Sequence, residues 1–205
     1  MERHRRVAPR GAISEDLDGA GLGAGWTGVL AAYYLRQAGV STCRASDHAG
    51  GWGGVWYWNR YPGARVDLPS IDYSYSFSPE VEQEWTWSEQ YAAQPELLRY
   101  FNFVADRLDL RKHIQFNTRV KSAVWDEARA LWQVVTQQGE HIEATYCVMA
   151  TGPLSVPKDP EIEGINRFKG TIYRAARWPD HEVDFSGKRV GVIGTGSTGI
   201  QIVQE

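Results

Sequence analysis

Two glycine patterns constrain the fold of this chain more than any other feature of its sequence. Gly23, Gly25 and Gly28 form one G-x-G-x-x-G, and residues 194–199 repeat that spacing close to position 205. In such a pattern the first glycine permits a tight turn, the second lets a pyrophosphate approach the backbone, and the third brings a helix against a strand. The N–H groups at the helix start then face the anion. Each pattern therefore predicts a dinucleotide-binding turn.

The first pattern has the expected residues after it and a poor strand before it. Residues 29–38 are predicted as a helix that Gly39 ends, and Asp47 lies 19 residues after Gly28, where an acid can hold a ribose. Residues 17–22 contain two glycines where a buried parallel strand is usually β-branched. Residues 41–46, the expected second strand, are also unusually polar. We therefore expect a poorly formed first strand and a loosely formed first site.

The second pattern has the better strand. Residues 188–193 read K-R-V-G-V-I and are predicted to form a buried strand that leads directly into the glycines. The residue that would distinguish NADP from NAD lies about 20 positions beyond such a pattern, and the sequence stops at Glu205. We therefore expect the second nucleotide domain to be incomplete.

Between the two patterns, the sequence predicts a helix followed by a β-meander. A helix opens at Pro95, and its apolar residues recur at intervals of three and four. Strands are predicted over residues 114–120, 123–125, 131–136 and 142–149, followed by Ala150-Thr151-Gly152 and a proline-marked linker. The predicted organisation is a disordered basic tail (1–12), a first nucleotide domain (13–152), a linker (153–187) and the start of a second nucleotide domain (188–205).

Charge and cysteine content exclude several classes of function. The net charge of −3 provides no positive field for nucleic acid or an anionic membrane, and no apolar run approaches the ~20 residues of a membrane span. Cys43 and Cys147 are far apart and lack C-x-x-C spacing, so neither a disulfide framework nor a metal site is predicted. We expect a cytoplasmic protein. The sequence does not indicate its oligomeric state.

A third motif lies in residues 53–67, which read G-G-V-W-Y-W-N-R-Y-P-G-A-R-V-D. Glycines allow close approach of a flat ligand, aromatic rings can stack on it, and Pro62-Gly63 makes a turn. A loop that covers a core edge would explain any single tryptophan. The whole pattern, G-G-x-W-x-x-x-x-Y-P-G-x-x-x-D, resembles a fingerprint of the flavin-dependent Baeyer–Villiger monooxygenases.

A fourth motif extends this resemblance. Residues 168–179 are similar to the family pattern F-x-G-x-x-x-H-x-x-x-W-P, except that Arg174 replaces the histidine. Trp178 separates this pattern from that of the related flavin-containing monooxygenases. In the family the histidine lies near the domain junction and supports coupling between nicotinamide and flavin states. The resemblance therefore implies that Arg174 weakens this coupling.

The resemblance implies a Rossmann-like α/β flavoprotein fold with two dinucleotide sites, for FAD and NADP. The implied reaction inserts one oxygen atom from O2 next to a ketone carbonyl and gives an ester or lactone. Asp67 is the implied catalytic residue, because the family uses this acid to position an arginine that stabilises an anionic oxygenating intermediate. That arginine would follow Glu205, so the 205 residues alone are expected not to turn over a ketone.

The same resemblance assigns the cofactor-binding residues. The FAD set comprises Gly23, Gly25 and Gly28 at the pyrophosphate, Asp47 at the ribose, and Val55, Trp56, Tyr57, Trp58, Asp67, Tyr73 and Val120 at the flavin. The NADP set comprises Gly194, Thr195, Gly196, Ser197, Thr198, Gly199 and Ile200, joined by Arg65, Val66 and Asp67.

Two other functions remain compatible with these motifs. One is oxygenation at nitrogen or sulfur, and the other is a non-catalytic dinucleotide-binding remnant. The poor strand at 17–22 and Arg174 favour the remnant. The product formed from a ketone or a sulfide would separate the two oxygenases, and a flavin spectrum would separate an enzyme from a remnant.

Overall fold

The computed structural model describes residues 15–40 and 42–205, so the predicted basic tail over 1–12 lies outside the described residues. The strands are β1 (Glu15–Leu22), β2 (Cys43–Ser46), β3 (Ile114–Gln115), β4 (Val120–Asp126), β5 (Leu131–Thr136) and β6 (His141–Met149). The α-helices are α1 (Trp26–Gln37), α2 (Val55–Trp58), α3 (Pro79–Glu84), α4 (Gln94–Arg107) and α5 (Ser197–Gln204). Short 3₁₀ helices cover Ser70–Tyr73, Arg111–His113, Ile165–Arg167 and Ala175–Arg177.

The described chain divides into two compact units, and each is discontinuous in sequence. The first unit contains residues up to 50 together with 110–150, and the second contains 51–109 together with 151–205. The first glycine turn and the meander belong to the first unit. The fingerprint segment and the second glycine turn belong to the second unit. The domain boundaries given above remain a prediction.

The first unit is built on a six-stranded mixed sheet of order β3-β2-β1-β6-β5-β4. β1 pairs in parallel with both β2 and β6, and β2 pairs in parallel with β3. β4, β5 and β6 pair antiparallel in sequence order, which confirms the predicted meander. Parallel strands joined through α1 form the α/β arrangement expected of a dinucleotide-binding unit.

The expectation of a poorly formed first strand is wrong. All of Glu15–Leu22 is β-strand and lies in the interior of the sheet, with a partner on each side. Leu17 and Leu22 are buried in the sheet core. A Cβ atom added at Gly21 would lie 3.1 Å from the Cβ of Ala45, so a small residue suits the close contact with β2. Pairing on both sides outweighs the low strand propensity of glycine.

Two other element boundaries differ from the predictions in this unit. α1 begins at Trp26, three residues before the predicted start. The predicted strand over 114–120 is wrong, because only Ile114–Gln115 pairs with β2 and Val120 already belongs to β4. The backbone of Asn117 has a φ of 53°, a left-handed conformation that interrupts an extended chain.

The second unit has a helical core. α4 buries Leu97, Tyr100, Phe101 and Val104, which confirms the helix predicted to open at Pro95. The Tyr100 hydroxyl accepts a hydrogen bond from the backbone N–H of Tyr75 at 2.7 Å. Burial raises the pKa of Tyr100 to about 12, so this phenol is neutral at physiological pH and serves the core as a hydrogen-bonding group.

The strand predicted over residues 188–193 is wrong. These residues form no strand with any described part of the chain, and Val190, Val192 and Ile193 are 57%, 40% and 85% exposed. A buried strand needs neighbours to bond its N–H and C=O groups and to cover its side chains. Residues 188–193 therefore remain unpaired although their sequence favours a strand.

Candidate functional site

The first glycine turn joins β1 to α1 and has the backbone geometry that a dinucleotide requires. Gly23 adopts a φ of 110°, and its N–H donates to the carbonyl of Ser46 at 2.9 Å. A Cβ atom added at Gly28 would lie 2.0 Å from the carbonyl oxygen of Gly23, so only glycine allows the helix to approach this closely. Gly25 is the N-cap residue of α1, and its lack of a side chain leaves the helix start accessible.

Asp47 links the end of β2 to the first glycine turn. One carboxylate oxygen, Oδ2, accepts from the backbone N–H of Ala24, and Oδ1 accepts from the N–H of Ala49. A carboxylate has about four acceptor positions, so these two bonds leave capacity for ribose hydroxyls. The turn, the accessible helix start and this acid together fit the nucleotide part of FAD.

The second glycine turn reproduces the geometry of the first. Gly194 adopts a φ of 117°, and a Cβ atom added at Gly199 would lie 2.4 Å from the carbonyl oxygen of Gly194. Gly196 is the N-cap residue of α5, and a Cβ atom built there meets no described atom within 4 Å. The open space at Gly196 and the close approach at Gly199 fit a second dinucleotide.

The fingerprint segment brings several predicted flavin-lining residues together. Trp56 lies in α2 and its Nε1–H donates to the Tyr73 hydroxyl at 2.8 Å. Both side chains pack against a buried cluster of Val66, Ala92 and Leu97. Val66 is only 3% exposed, so it supports this cluster from within the core. Burial raises the pKa of Tyr73, while the hydrogen bond from Trp56 opposes this effect.

Asp67 is hydrogen-bonded to the helix that follows the second glycine turn. The Nε2 atom of Gln201 donates to Asp67 Oδ1 at 2.7 Å and to the Arg65 carbonyl at 3.0 Å. The Oε1 atom of Gln201 accepts from the Tyr61 hydroxyl at 2.9 Å. Gln201 is buried, whereas Asp67 is largely exposed. Residues 65–67 and 194–200, predicted to share a ligand, are thereby joined within one unit.

Gln201 and Tyr61 are the residues that the sequence analysis missed. The predicted NADP set ended at Ile200, one position before the glutamine. A signal was present, because Gln201 stands in an otherwise apolar run, I-Q-I-V, at the start of a helix. A polar side chain at such a position requires a partner when it is buried.

The remaining predicted residues are distributed over both units. Val120 opens β4 in the first unit and packs against the sheet core, in the same unit as the first glycine turn. Arg174 lies in the second unit, where its guanidinium forms an ion pair with Asp159. Arg177 approaches the same carboxylate at 3.8 Å. The contacts described for Arg174 therefore connect it to the linker rather than to Asp67.

Comparison with known proteins identifies the family. A model described as flavin-binding monooxygenase-like matches residues 83–205, which is more than half of the chain. The chain belongs to this family. A second model, described as an NAD(P)-binding Rossmann-like domain, matches residues 22–85, a range that begins at the first glycine turn. This match and the mixed sheet confirm the predicted Rossmann-like α/β fold class.

Individual members of the flavin-binding monooxygenase-like family are similar over nearly the whole chain. A Baeyer–Villiger monooxygenase from Pseudooceanicola batsensis is 44% identical over 93% of this chain and 35% of its own length. A phenazine N-monooxygenase from Lysobacter antibioticus is 45% identical over 89% of this chain and 34% of its own length. A solved structure, an oxidized steroid monooxygenase bound to NADP, superposes with a TM-score of 0.84 and 57% identity, covering 92% of this chain and 36% of that one.

These matches confirm the resemblance to Baeyer–Villiger monooxygenases. The chain spans about a third of the length of the curated relatives it matches. Within residues 15–40 and 42–205, no helix is long and apolar enough to cross a membrane. The same residues contain no cluster of three His, Cys, Asp or Glu side chains that could hold a metal ion.

Proposed function

We propose that this chain provides the FAD site and part of the NADP site of a Baeyer–Villiger monooxygenase, which inserts one oxygen atom from O2 next to a ketone carbonyl. The hydrogen bond between Gln201 and Asp67 carries this proposal. It connects the acid of the fingerprint to the helix of the second glycine turn. A remnant that only bound a nucleotide would have no need of an acid held at this position.

On the FAD side, the backbone performs most of the binding. The N–H groups at the start of α1 face the pyrophosphate, and Gly28 keeps the helix close enough for them to do so. Asp47 accepts hydrogen bonds from ribose hydroxyls while it holds the turn through Ala24. FAD, when bound, would take electrons from NADPH and activate O2, of which one atom goes to the substrate and the other to water.

On the NADP side, residues 194–200 hold the pyrophosphate at the start of α5, and Arg65 adds positive charge. The Arg65 guanidinium lies 3.4 Å from Glu89 with its side chain 35% exposed, so it remains accessible to a phosphate. Asp67 positions an arginine that stabilises negative charge during oxygen transfer. Such preorganised charge stabilisation is often the largest contribution to catalysis.

Oxygenation at nitrogen is a second candidate function, and one observation favours it. The phenazine N-monooxygenase matches this chain as closely as the Baeyer–Villiger relative does, at 45% against 44% identity. In either chemistry, the two glycine turns and the fingerprint segment would hold the nucleotides that supply reducing equivalents and activate O2. The part of the enzyme that selects the acceptor therefore decides between a ketone and a nitrogen atom.

We also propose a cytoplasmic location for the protein. Cys43 and Cys147 are both free thiols, as expected in a reducing compartment. Burial raises the pKa of both thiols, which lowers their reactivity. Neither cysteine is therefore expected to take part in the oxygenation.

The experiment uses the chain extended to the full length of its relatives, with FAD, NADPH and ¹⁸O2, and offers cyclic ketones, sulfides and N-heteroaromatic compounds. We expect an ester or lactone that contains one ¹⁸O atom, detected by mass spectrometry. Asp67→Ala should lower the rate by roughly 10²–10³. Asp72→Ala, which alters an exposed acid of the 3₁₀ helix Ser70–Tyr73, should leave the rate unchanged. N-oxides without esters would establish the second candidate instead. Failure to bind flavin would support the non-catalytic remnant.

A further inference from the structure

The side chain of Gln201 uses three of its four hydrogen-bonding positions. Its Nε2 atom donates to Asp67 and to the Arg65 carbonyl, and its Oε1 atom accepts from the Tyr61 hydroxyl. An amide nitrogen only donates and an amide oxygen only accepts. Reversal of the amide would place its oxygen against the Asp67 carboxylate and the Arg65 carbonyl. The partners therefore define the orientation of the amide.

This hydrogen-bond chain continues to the second glycine turn. The Thr198 hydroxyl donates to the Tyr61 hydroxyl at 3.4 Å, and Tyr61 in turn donates to Gln201. The backbones of Gly63 and Gln201 are also close to each other, because a Cβ atom added at Gly63 would lie 2.6 Å from the Gln201 carbonyl oxygen. The loop containing Tyr61 and Gly63 is therefore packed directly on α5.

We propose that Gln201 is the positioning residue for Asp67, and that the Thr198–Tyr61–Gln201 chain connects the second glycine turn to that carboxylate. Gln201 is 5% exposed, so the geometry of its amide is held by the surrounding protein. Asp67 is exposed and has no comparable packing of its own. The amide thus restricts an acid that would otherwise sample several rotamers.

The proposal predicts that nucleotide binding depends on Gln201 through Asp67. It rests on the proposed function, because it requires residues 194–200 and Asp67 to face the same NADP molecule. Gln201→Met keeps the length of the side chain and removes the amide. Hydrogen bonds to charged groups are strong enough that their loss should weaken NADP⁺ binding about tenfold.

The test is a double-mutant cycle on the FAD-loaded protein, with the dissociation constant of NADP⁺ measured by calorimetric titration. Gln201→Met and Asp67→Ala should each weaken binding, and the double variant should bind within about twofold of Asp67→Ala. Gln204→Met is the matched control, since Gln204 is an exposed glutamine on the same helix. It should leave the dissociation constant unchanged.

Independent effects would overturn the proposal. In that case the dissociation constant of the double variant would rise by the product of the two single-variant factors. Alternatively, Gln201→Met would bind NADP⁺ as tightly as Gln204→Met does. If Gln201→Met does not retain FAD, Tyr61→Phe carries the same test, because it removes the hydroxyl that bonds Oε1. The effect of Tyr61→Phe on NADP⁺ binding should disappear when Asp67 is also replaced by alanine. An unchanged effect in that double variant would overturn the proposal.

Product analysis separates this proposal from the proposed function. Ester formation together with independent effects on NADP⁺ binding would remove only the role of Gln201. N-oxide formation together with coupled effects would remove the Baeyer–Villiger assignment and retain Gln201 as the positioning residue.

Discussion

The two glycine turns have the same local geometry and opposite surroundings. In both, the first glycine has a positive φ and the third approaches its carbonyl oxygen so closely that a Cβ atom would lie at 2.0 or 2.4 Å. The first follows β1, which forms although residues 17–22 are glycine-rich. The second follows residues 188–193, which form no strand although their sequence favours one.

The difference shows that the turn and the strand depend on different interactions. The turn is local, because glycine backbones and the first helical residues are enough to build it. The strand is not local, because its stability comes from neighbouring strands and from the side chains that they cover. β1 has a strand on each side, whereas the exposed valines at 190 and 192 have no paired strand in the described chain.

Replacement of the third glycine of each turn by alanine should reveal the largest difference in stability between the two turns. Gly28→Ala places a Cβ atom against backbone that is part of a packed sheet unit, so we expect a loss of about 3 kcal/mol in unfolding free energy and a loss of bound flavin. Gly199→Ala should cost less, because the preceding segment is unpaired and can shift. Gly196→Ala is the control for stability, since its Cβ atom meets open space. Chemical denaturation and flavin content measure both quantities, and equal losses at Gly28 and Gly199 would contradict this account.

Removal of the Asp47 carboxylate should have the next largest effect. Asp47→Ala leaves the N–H groups of Ala24 and Ala49 without their acceptor, which should cost about 2 kcal/mol. We also expect weaker FAD binding, measured by fluorescence titration of the apoprotein. Asp126→Ala, in the same unit but at the end of β4, should leave FAD affinity unchanged. Equal FAD affinity in Asp47→Ala and the unmodified protein would refute the ribose assignment.

A pair of valine truncations tests the role of strand neighbours. Val134 is 1% exposed in β5, and Val192 is 40% exposed. Val134→Ala removes two buried methyl groups and should cost about 1.5 kcal/mol, whereas Val192→Ala should change stability by less than about 0.5 kcal/mol. Urea denaturation of both variants measures the difference. A large loss from Val192→Ala would indicate that residues 188–193 are paired after all.

Arg174→His should have the smallest effect on stability. Arg174 and Asp159 are both partly exposed, and exposed ion pairs contribute roughly 0–1 kcal/mol. The expected effect is on function, because a neutral imidazole can donate and accept a proton where a guanidinium only donates. In the chain extended to full length, the ratio of product formed to NADPH consumed should rise. Arg177→His, which alters the neighbouring arginine, is the control. If the ratio does not rise above that of this control, the residue at position 174 does not influence coupling.

Sequence motifs predicted much of the local geometry at the candidate site, whereas the binding roles of its residues remain proposals. Both glycine turns form, the first more tightly than its preceding residues predicted. Asp47 bonds to the first of them, and Trp56 contacts Tyr73 within the predicted flavin-lining set. These predictions succeed because each rests on residues close in sequence or on backbone conformations that few residues adopt. Gln201 was missed because its importance depends on Asp67, which lies 134 positions earlier in the chain.

The sequence by itself determined the two nucleotide turns, the helix after Pro95, the β-meander and the family. Tertiary structure alone decided which of the two segments before the glycine turns is a strand, since Glu15–Leu22 pairs on both sides and residues 188–193 pair with no described strand. It also decided that Gln201 contacts Asp67. The physical reason is the same in each case. A glycine turn or a helix satisfies its hydrogen bonds within a few residues, whereas a strand or a buried amide needs partners that only the folded chain supplies.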